Sequence, residues 1–272
     1  MKLRKLYVCD IPQEELNYIV QNCSADLEVE EITISALPEV EAEEGMFIAS
    51  SQKDLDNAKE VNLATVGFQK PDSAVFLHAD MVVEGFEEVD AFFLERVWRR
   101  HHRIPWHILE TNRLIVRELG LEDLDALFEL YENKKMAAYL DPLYSYEEEK
   151  KYQESYINNM YEFYGYGMWL VFEKKSGKLI GRAGIEHREE SDFLPEIGYA
   201  IGDPYQQKGY AAEVCQAILE YAKEELCFEE MLCFIEPENE VSIHLAKRLG
   251  FEFLEAMEIE GVELHKFWRS LN

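Results

Sequence analysis

The sequence predicts two domains in tandem. A small α/β domain with a mainly parallel sheet occupies residues 1–103, a linker spans 104–111, and a mixed α+β domain fills 112–272. Three observations carry this reading. Short apolar strands alternate with helical patterns through the first half, as parallel sheets require. In the second half several strands follow one another through short turns before a β-α-β-α-β run, which needs a mixed sheet. Between them, "RIPWHILETN" follows a basic-amphipathic helix and precedes a fresh strand, "RLIVREL", and Pro105 disfavours helix at its predecessor.

The first domain opens with the strand "KLYVC", the helix "PQEELNYIVQNC" with proline near its first turn, and the strand "LEVEEITI". "GMFIASS" reads as a strand, "QKDLDNAKEV" as a short helix, "NLATVGF" and "DMVVE" as strands, and a helix at 87–102 closes the domain. The second begins with "RLIVREL" and the helices "LEDLDALFELYEN" and "YEEEKKYQESYINNMYEFY". Strands "MWLVFEK", "LIGRAGIEHRE" and "PEIGYAI" come next, joined by the turn "KKSG" and by "EESDF". A helix at 210–226, the strand "MLCFIE", the helix "VSIHLAKRL" and the strands "FEFLEAMEIE" and "VELHKFWRSL" complete the chain.

Composition narrows the function. With 272 residues, 47% of them hydrophobic, the chain can bury a sizeable core. No apolar run approaches ~18 residues and the N-terminus lacks a long apolar h-region, so we expect neither a membrane span nor a signal peptide. Cys9, Cys23, Cys215, Cys227 and Cys233 are odd in number and scattered, without metal-ligand spacing; this suits reduced thiols in the cytoplasm and predicts no metal site. The net charge of -28, from 27 basic and 55 acidic residues, repels phosphate backbones and argues against nucleic acid as a partner. It favours cationic partners such as amines, although acidic surfaces also simply keep a protein soluble. An anionic ligand would need a locally neutral niche.

"PYQQKGYAAE" offers such a niche between a strand and a helix. A helix N-terminus exposes unpaired N–H groups and positive potential, and glycine lets a ligand approach the backbone. Amides from Gln207 to Ala212, with Lys208 beside them, are suited to a pyrophosphate. The same stretch also reads as an ordinary strand-to-helix turn, and no P-loop pattern occurs. Downstream, Asn239 and Ser242 stand at the entry of a helix that Gly250 ends, positions that cap or contact a ligand.

Together these segments resemble a known family. "YQQKGYAAE" is similar to the Q-x-x-G-x-A/G signature of the GNAT superfamily of N-acetyltransferases, and "NEVSIHLAKRLGF" to its downstream N-x-x-S…K-x-G-F segment. The resemblance covers residues 112–272, is nearest the ribosomal-protein N-terminal acetyltransferase branch, and implies a mixed, mostly antiparallel central sheet. It also implies acetyl-CoA as co-substrate. The pyrophosphate would lie on Gln206, Gln207, Lys208, Gly209, Tyr210, Ala211 and Ala212, and the pantetheine beside the backbone of Tyr199, Ala200 and Ile201. Asn239 and Ser242 would meet its far end.

By the same resemblance Glu196 is the general base, and a half-buried carboxylate there would have a raised pKa. Glu186 and His187 are reserve candidates. Many members carry a general-acid tyrosine where this chain has Ala246, which leaves Tyr199, His244 or water for that role. Tyr164, Tyr166 and Trp169 either wall an acceptor pocket suited to a cationic amine or form a helix end docked on the sheet.

The first domain resembles a haloacid dehalogenase-like, Rossmann-type module in degenerate form. Its acidic motif reads Ser50 where the first acid belongs and keeps only Asp54, and Asp10 is followed by Ile11 and Pro12. A docking or regulatory role follows. The expected activity is acetyl transfer from acetyl-CoA to a primary amine by direct attack, the amine being a protein N-terminus or a small molecule. A non-catalytic acyl-CoA-binding regulator is the alternative, a metal-dependent phosphatase a third reading, and a homodimer is left open.

Overall fold

The computed structural model describes residues 1–71, 73, 76–132, 136–188 and 194–272. The chain divides into two compact units, Met1–Trp106 and His107–Asn272.

The first unit contains β1 (Lys5–Cys9), α1 (Gln13–Cys23), β2 (Glu28–Glu31), β3 (Gly45–Ala49), α2 (Gln52–Glu60), β4 (Ala64–Phe68), β5 (Met81–Val83) and α3 (Ala91–His101). The strands pair in the order β2-β1-β3-β4-β5, each pair parallel, as the strand–helix alternation predicts. β3 and β4 are buried at every position, because a parallel sheet is covered on both faces. The strand expected over "LEVEEITI" stops at Glu31 and gives way to a 3-10 turn at Ile34–Glu39. Its partner β1 pairs it only through Val8, so nothing remains for it to bond beyond the Ile32 N–H. α3 starts at Ala91 because Asp90 caps it, accepting from the Phe93 N–H at 2.8 Å.

The second unit runs β6 (His107–Glu110), β7 (Leu114–Arg117), α4 (Leu124–Tyr131), α5 (Tyr146–Tyr156), β8 (Met168–Glu173), β9 (Leu179–Glu186) and β10 (Glu196–Ile201). It continues with α6 (Tyr210–Glu224), β11 (Glu230–Ile235), α7 (Glu240–Arg248), β12 (Glu252–Ile259) and β13 (Val262–Ser270). These strands form one sheet in the order β12-β13-β11-β10-β9-β8-β7-β6. Every pair is antiparallel except β10 with β11. One face packs on α6 through Val214, Cys215, Ile218 and Leu219. Arg182, on the other, donates to the Tyr131 hydroxyl of α4 at 2.9 Å.

Two expectations change here. The segment 104–111, read as a linker, holds strand β6, which pairs with β7; its Pro105 lies before the strand rather than in it. The helix expected through Tyr164 is α-helical only to Tyr156 and continues as a π-helix over Ile157–Tyr164, ending at Gly165 with φ +82°. Bonds from i to i+5 bring residues five apart onto one face, so Tyr156 and Tyr161 both turn inward. The Tyr161 hydroxyl then donates to the Met168 carbonyl at 2.5 Å. The connection "EESDF" lies outside the described residues.

Candidate active site

The site starts from a gap in the sheet. Gly202 N–H donates to the Ile180 carbonyl at 2.8 Å. By the alternation of an antiparallel ladder, the even-numbered residues of β10 therefore bond to β9, while the backbone groups of Tyr199 and Ile201 turn to the other edge. On that edge β11 pairs with β10 only at Glu196↔Leu232, where Leu232 N–H donates to the Pro195 carbonyl at 2.8 Å. The two parallel strands part after this contact and leave polar backbone groups along the edge of β10.

The chain leaves β10 through a 3-10 turn at Asp203–Tyr205, and Gln206 Nε2 donates to the Ile201 carbonyl at 2.8 Å. Gln207 and Gly209 both have left-handed backbone, φ 59° and 80°, and α6 begins at Tyr210. Gly209 occupies the N-cap position with no side-chain cap, so the first amides of α6 keep their donors for a ligand. A Cβ at Gly209 would stand 3.5 Å from Arg113 Nη2.

Arg113, just before β7, organises this loop. Its Nη1 donates to the Lys208 carbonyl at 2.9 Å, its Nε to Glu213 at 2.6 Å, and its guanidinium lies 4.3 Å from the Tyr210 ring centroid. Burial raises the Glu213 pKa, but hydrogen bonds from Thr111 and Arg113 outweigh it and hold the carboxyl below its ordinary value. The Tyr210 hydroxyl donates to Glu173. The loop is therefore free of acids in sequence but has two beside it in space, each engaged by a donor.

Two carboxylates mark the other end of β10. Glu196 and Glu186 are directly opposed on β10 and β9, so both side chains rise from one face. Glu196 is 8% exposed and accepts from Arg188 Nε at 2.6 Å and Nη2 at 3.0 Å, a bidentate pair. Burial pushes its pKa up to about 7, Arg188 pulls against it, and Glu186 adds a smaller upward push. Glu186 accepts from the Tyr156 hydroxyl at 2.9 Å, and that oxygen accepts from Met168 N–H at 2.7 Å.

Residues 113–252 match the acetyltransferase (GNAT) domain family, more than half of the chain. The chain belongs to the GNAT acetyltransferase family. An uncharacterized protein of Bacillus subtilis, YkkB, is 30% identical over 150 residues, which cover 53% of this chain and 85% of YkkB. In fold, the chain is similar to a Salmonella typhimurium acetyltransferase that modifies the N-terminal serine of a 50S ribosomal subunit protein. That match has a TM-score of 0.52 and 21% identity, over 61% of this chain and 100% of the other. It is similar also to a ribosomal-protein α-N-acetyltransferase in complex with coenzyme A, with TM-score 0.51 and 21% identity over 61% and 98% of the two chains. As a member of that family, the protein is an acetyl-CoA-dependent N-acetyltransferase.

The GNAT unit distributes the sequence-derived candidates unevenly. Gln206, Gln207, Lys208 and Gly209 are exposed on the loop, followed by Tyr210, Ala211 and Ala212 in the first turn of α6. Tyr199 offers its backbone groups at the gap and Ile201 its N–H, since Gln206 already engages the Ile201 carbonyl, whereas those of Ala200 belong to the β9 ladder, which leaves it the role of a wall. Asn239 caps α7, its Oδ1 accepting from Ser242 N–H at 3.2 Å. The Tyr199 hydroxyl is buried beside Ser242 without a hydrogen bond of good geometry. Ala246 is part of the core, and His244 is exposed.

Tyr164 and Tyr166 both pack on His187, with ring centroids 4.6 and 6.3 Å from it, next to Glu186 in sequence. Trp169 does not join them. It is fully buried on the opposite face of β8, edge-on to Tyr221 of α6, because alternation along the strand turns it into the core. Sequence reasoning missed Arg113, Arg188 and Tyr156. The first acts on partners about a hundred positions away, and no local pattern announces such a pairing.

Proposed function

We propose that the second unit acetylates a primary amine by direct attack, with Glu196 taking the proton. Acetyl-CoA would lie in the gap between β10 and β11 with its pyrophosphate on the Gly209 loop. The uncapped amides of α6, the parted strands and the space a Cβ would fill at Gly209 all suit it. In the reaction the amine nitrogen bonds to the thioester carbonyl carbon and the carbon–sulfur bond breaks. The ammonium proton passes to a Glu196 oxygen, and the departing thiolate takes a proton from solvent. The observation that carries this is a buried carboxylate with a pKa of about 7 on the strand that borders the gap. Arg188 keeps that carboxylate oriented, and among the described residues its two hydrogen bonds leave one lone pair of each oxygen for an amine.

The test is turnover of acetyl-CoA with a panel of amines, read by mass spectrometry of the acetylated product. Acetylated amine supports the reading; tight acetyl-CoA binding with no amine ever acetylated favours a non-catalytic binding role.

For the first unit we propose a degenerate haloacid dehalogenase-like module without phosphatase activity. Asp10 and Ser50 stand at the carboxyl ends of neighbouring strands, where the Ser50 hydroxyl donates to the Asp10 backbone carbonyl at 2.7 Å. A cytoplasmic location is consistent with five free cysteines. Among the described residues no helix is long and apolar enough to cross a membrane.

A further inference from the structure

Helix α5 buries an unusual stripe. Its inward-facing residues are Glu149, Gln153 and Tyr156, a carboxylate, an amide and a phenol one turn apart, where a surface helix ordinarily buries aliphatic side chains. Glu149 is 2% exposed and Gln153 1%. Burying such groups is costly unless each finds a partner. The Gln153 amide nitrogen donates to Glu149 Oε1 at 2.7 Å, but Gln153 Oε1 is buried with no hydrogen-bond partner among the described residues. Among the described residues, the other Glu149 oxygen receives only the Tyr144 N–H, at 3.1 Å.

This stripe leads to the reacting end of the site. The rings of Tyr144, Tyr152 and Tyr156 follow one another at centroid distances of 5.6 and 6.1 Å, and Tyr156 donates to Glu186, the cross-strand neighbour of Glu196. Two cations oppose the acids. Arg188 is paired with Glu196, and Arg182 spends Nη1 on the Tyr131 hydroxyl. Among the described residues, neither of these cations makes a hydrogen bond or ion pair with Glu149. Tyrosine rings, the buried Glu149 carboxylate and an orphaned amide oxygen together call for a cationic N–H donor.

We propose that the α5 stripe is an acceptor subsite for a second cationic nitrogen, so that the preferred acceptor is an amine carrying another ammonium or guanidinium group. Glu149 and the Gln153 oxygen would receive its N–H groups, and the tyrosines would line the alkyl span toward Glu196. This rests on the acetyltransferase reading above and adds the acceptor's chemistry to it. A small diamine and a peptide with a basic residue near its free N-terminus share that chemistry.

The experiment measures kcat/KM for 1,4-diaminobutane against 1-aminobutane, and for a dipeptide amide ending in lysine against its norleucine counterpart, with saturating acetyl-CoA. We expect the dicationic member of at least one pair to be favoured by about 10- to 100-fold, the range of a buried charge-assisted hydrogen bond. The pair that shows the preference identifies the source. Glu149→Gln should shrink that ratio to about threefold or less, since it removes the charge but keeps the shape. Acetyl-CoA binding, followed by calorimetry on each protein, reports whether the variant is folded. Equal kcat/KM within both pairs, with turnover intact, overturns the subsite and leaves the acetyltransferase reading standing. Acetyl-CoA binding without acetylation of any amine overturns both. If Glu149→Gln binds acetyl-CoA normally and keeps the wild-type ratio, the subsite is refuted by that alone.

Discussion

Replacing Arg188 by glutamine should move the acid limb of the pH–rate profile to higher pH without lowering its plateau severely. Arg188 makes two short hydrogen bonds to a carboxylate that is only 8% exposed. An adjacent guanidinium typically lowers a carboxyl pKa by about one to three units. Glu196 titrates at about 7 with Arg188 present, so burial already prevails over the ion pair. Without the arginine the pKa rises further. The base works only when ionised, so wild-type kcat/KM should climb through about pH 7 and the variant through about pH 8 or above. At pH 7 a rise of one pH unit takes the ionised fraction from about a half to about a tenth, roughly a fivefold loss, and each further unit costs about tenfold more. The assay follows release of the coenzyme A thiol with a single acceptor over about pH 6 to 10, so that the acceptor's own titration is common to both profiles. A loss that is equal at every pH would refute the account, as would an acid limb that does not move. Either result would mean that Arg188 does not act through the ionisation of Glu196.

Other substitutions test the scaffold of the site. Gly209→Ala places a β-carbon on left-handed backbone at φ 80° and should cost about 1–2 kcal/mol of folding stability; an unfolding midpoint unchanged from wild type would contradict this. Tyr199→Phe removes a buried hydroxyl with no well-formed partner and should raise stability by about 1 kcal/mol, whereas a fall in Tm would show that the hydroxyl is bonded after all. Gly184→Ala would set a β-carbon 2.1 Å from the Gly167 carbonyl oxygen, a backbone atom that cannot swing aside. We expect at least about 3 kcal/mol of destabilisation in urea titration, and a native-like midpoint would refute the close approach.

Much of this was legible in the sequence because it depends on local chemistry. The end of α7 is an example. Gly250 has φ +84°, its N–H bonds to the Lys247 carbonyl and that of Phe251 to Ala246, the helix stop that the glycine predicts. The loop from Gln206 to Ala212 was likewise readable, since an uncapped helix behind a glycine is a property of neighbouring residues. The illegible parts are those that depend on tertiary pairing. The π-helical turn after α5 arises because Tyr156 and Tyr161 must both face inward, a demand set by the strand they bond to. Trp169 looked like part of an aromatic pocket with Tyr164 and Tyr166, but strand alternation sends it to the opposite face. The partner of Glu196 was hidden for another reason. Arg188 sits eight positions before it, across a strand connection whose geometry no spacing rule specifies.

The central claim is that Glu196 takes the proton from the acceptor while acetyl-CoA binds elsewhere on β10 and α6. Parallel measurement of kcat and of acetyl-CoA Kd for wild type and Glu196→Gln tests it most directly. The account predicts a fall in kcat of about 10²- to 10⁴-fold with Kd unchanged within about twofold. Turnover within about threefold of wild type would contradict it, because a neutral amide cannot take that proton.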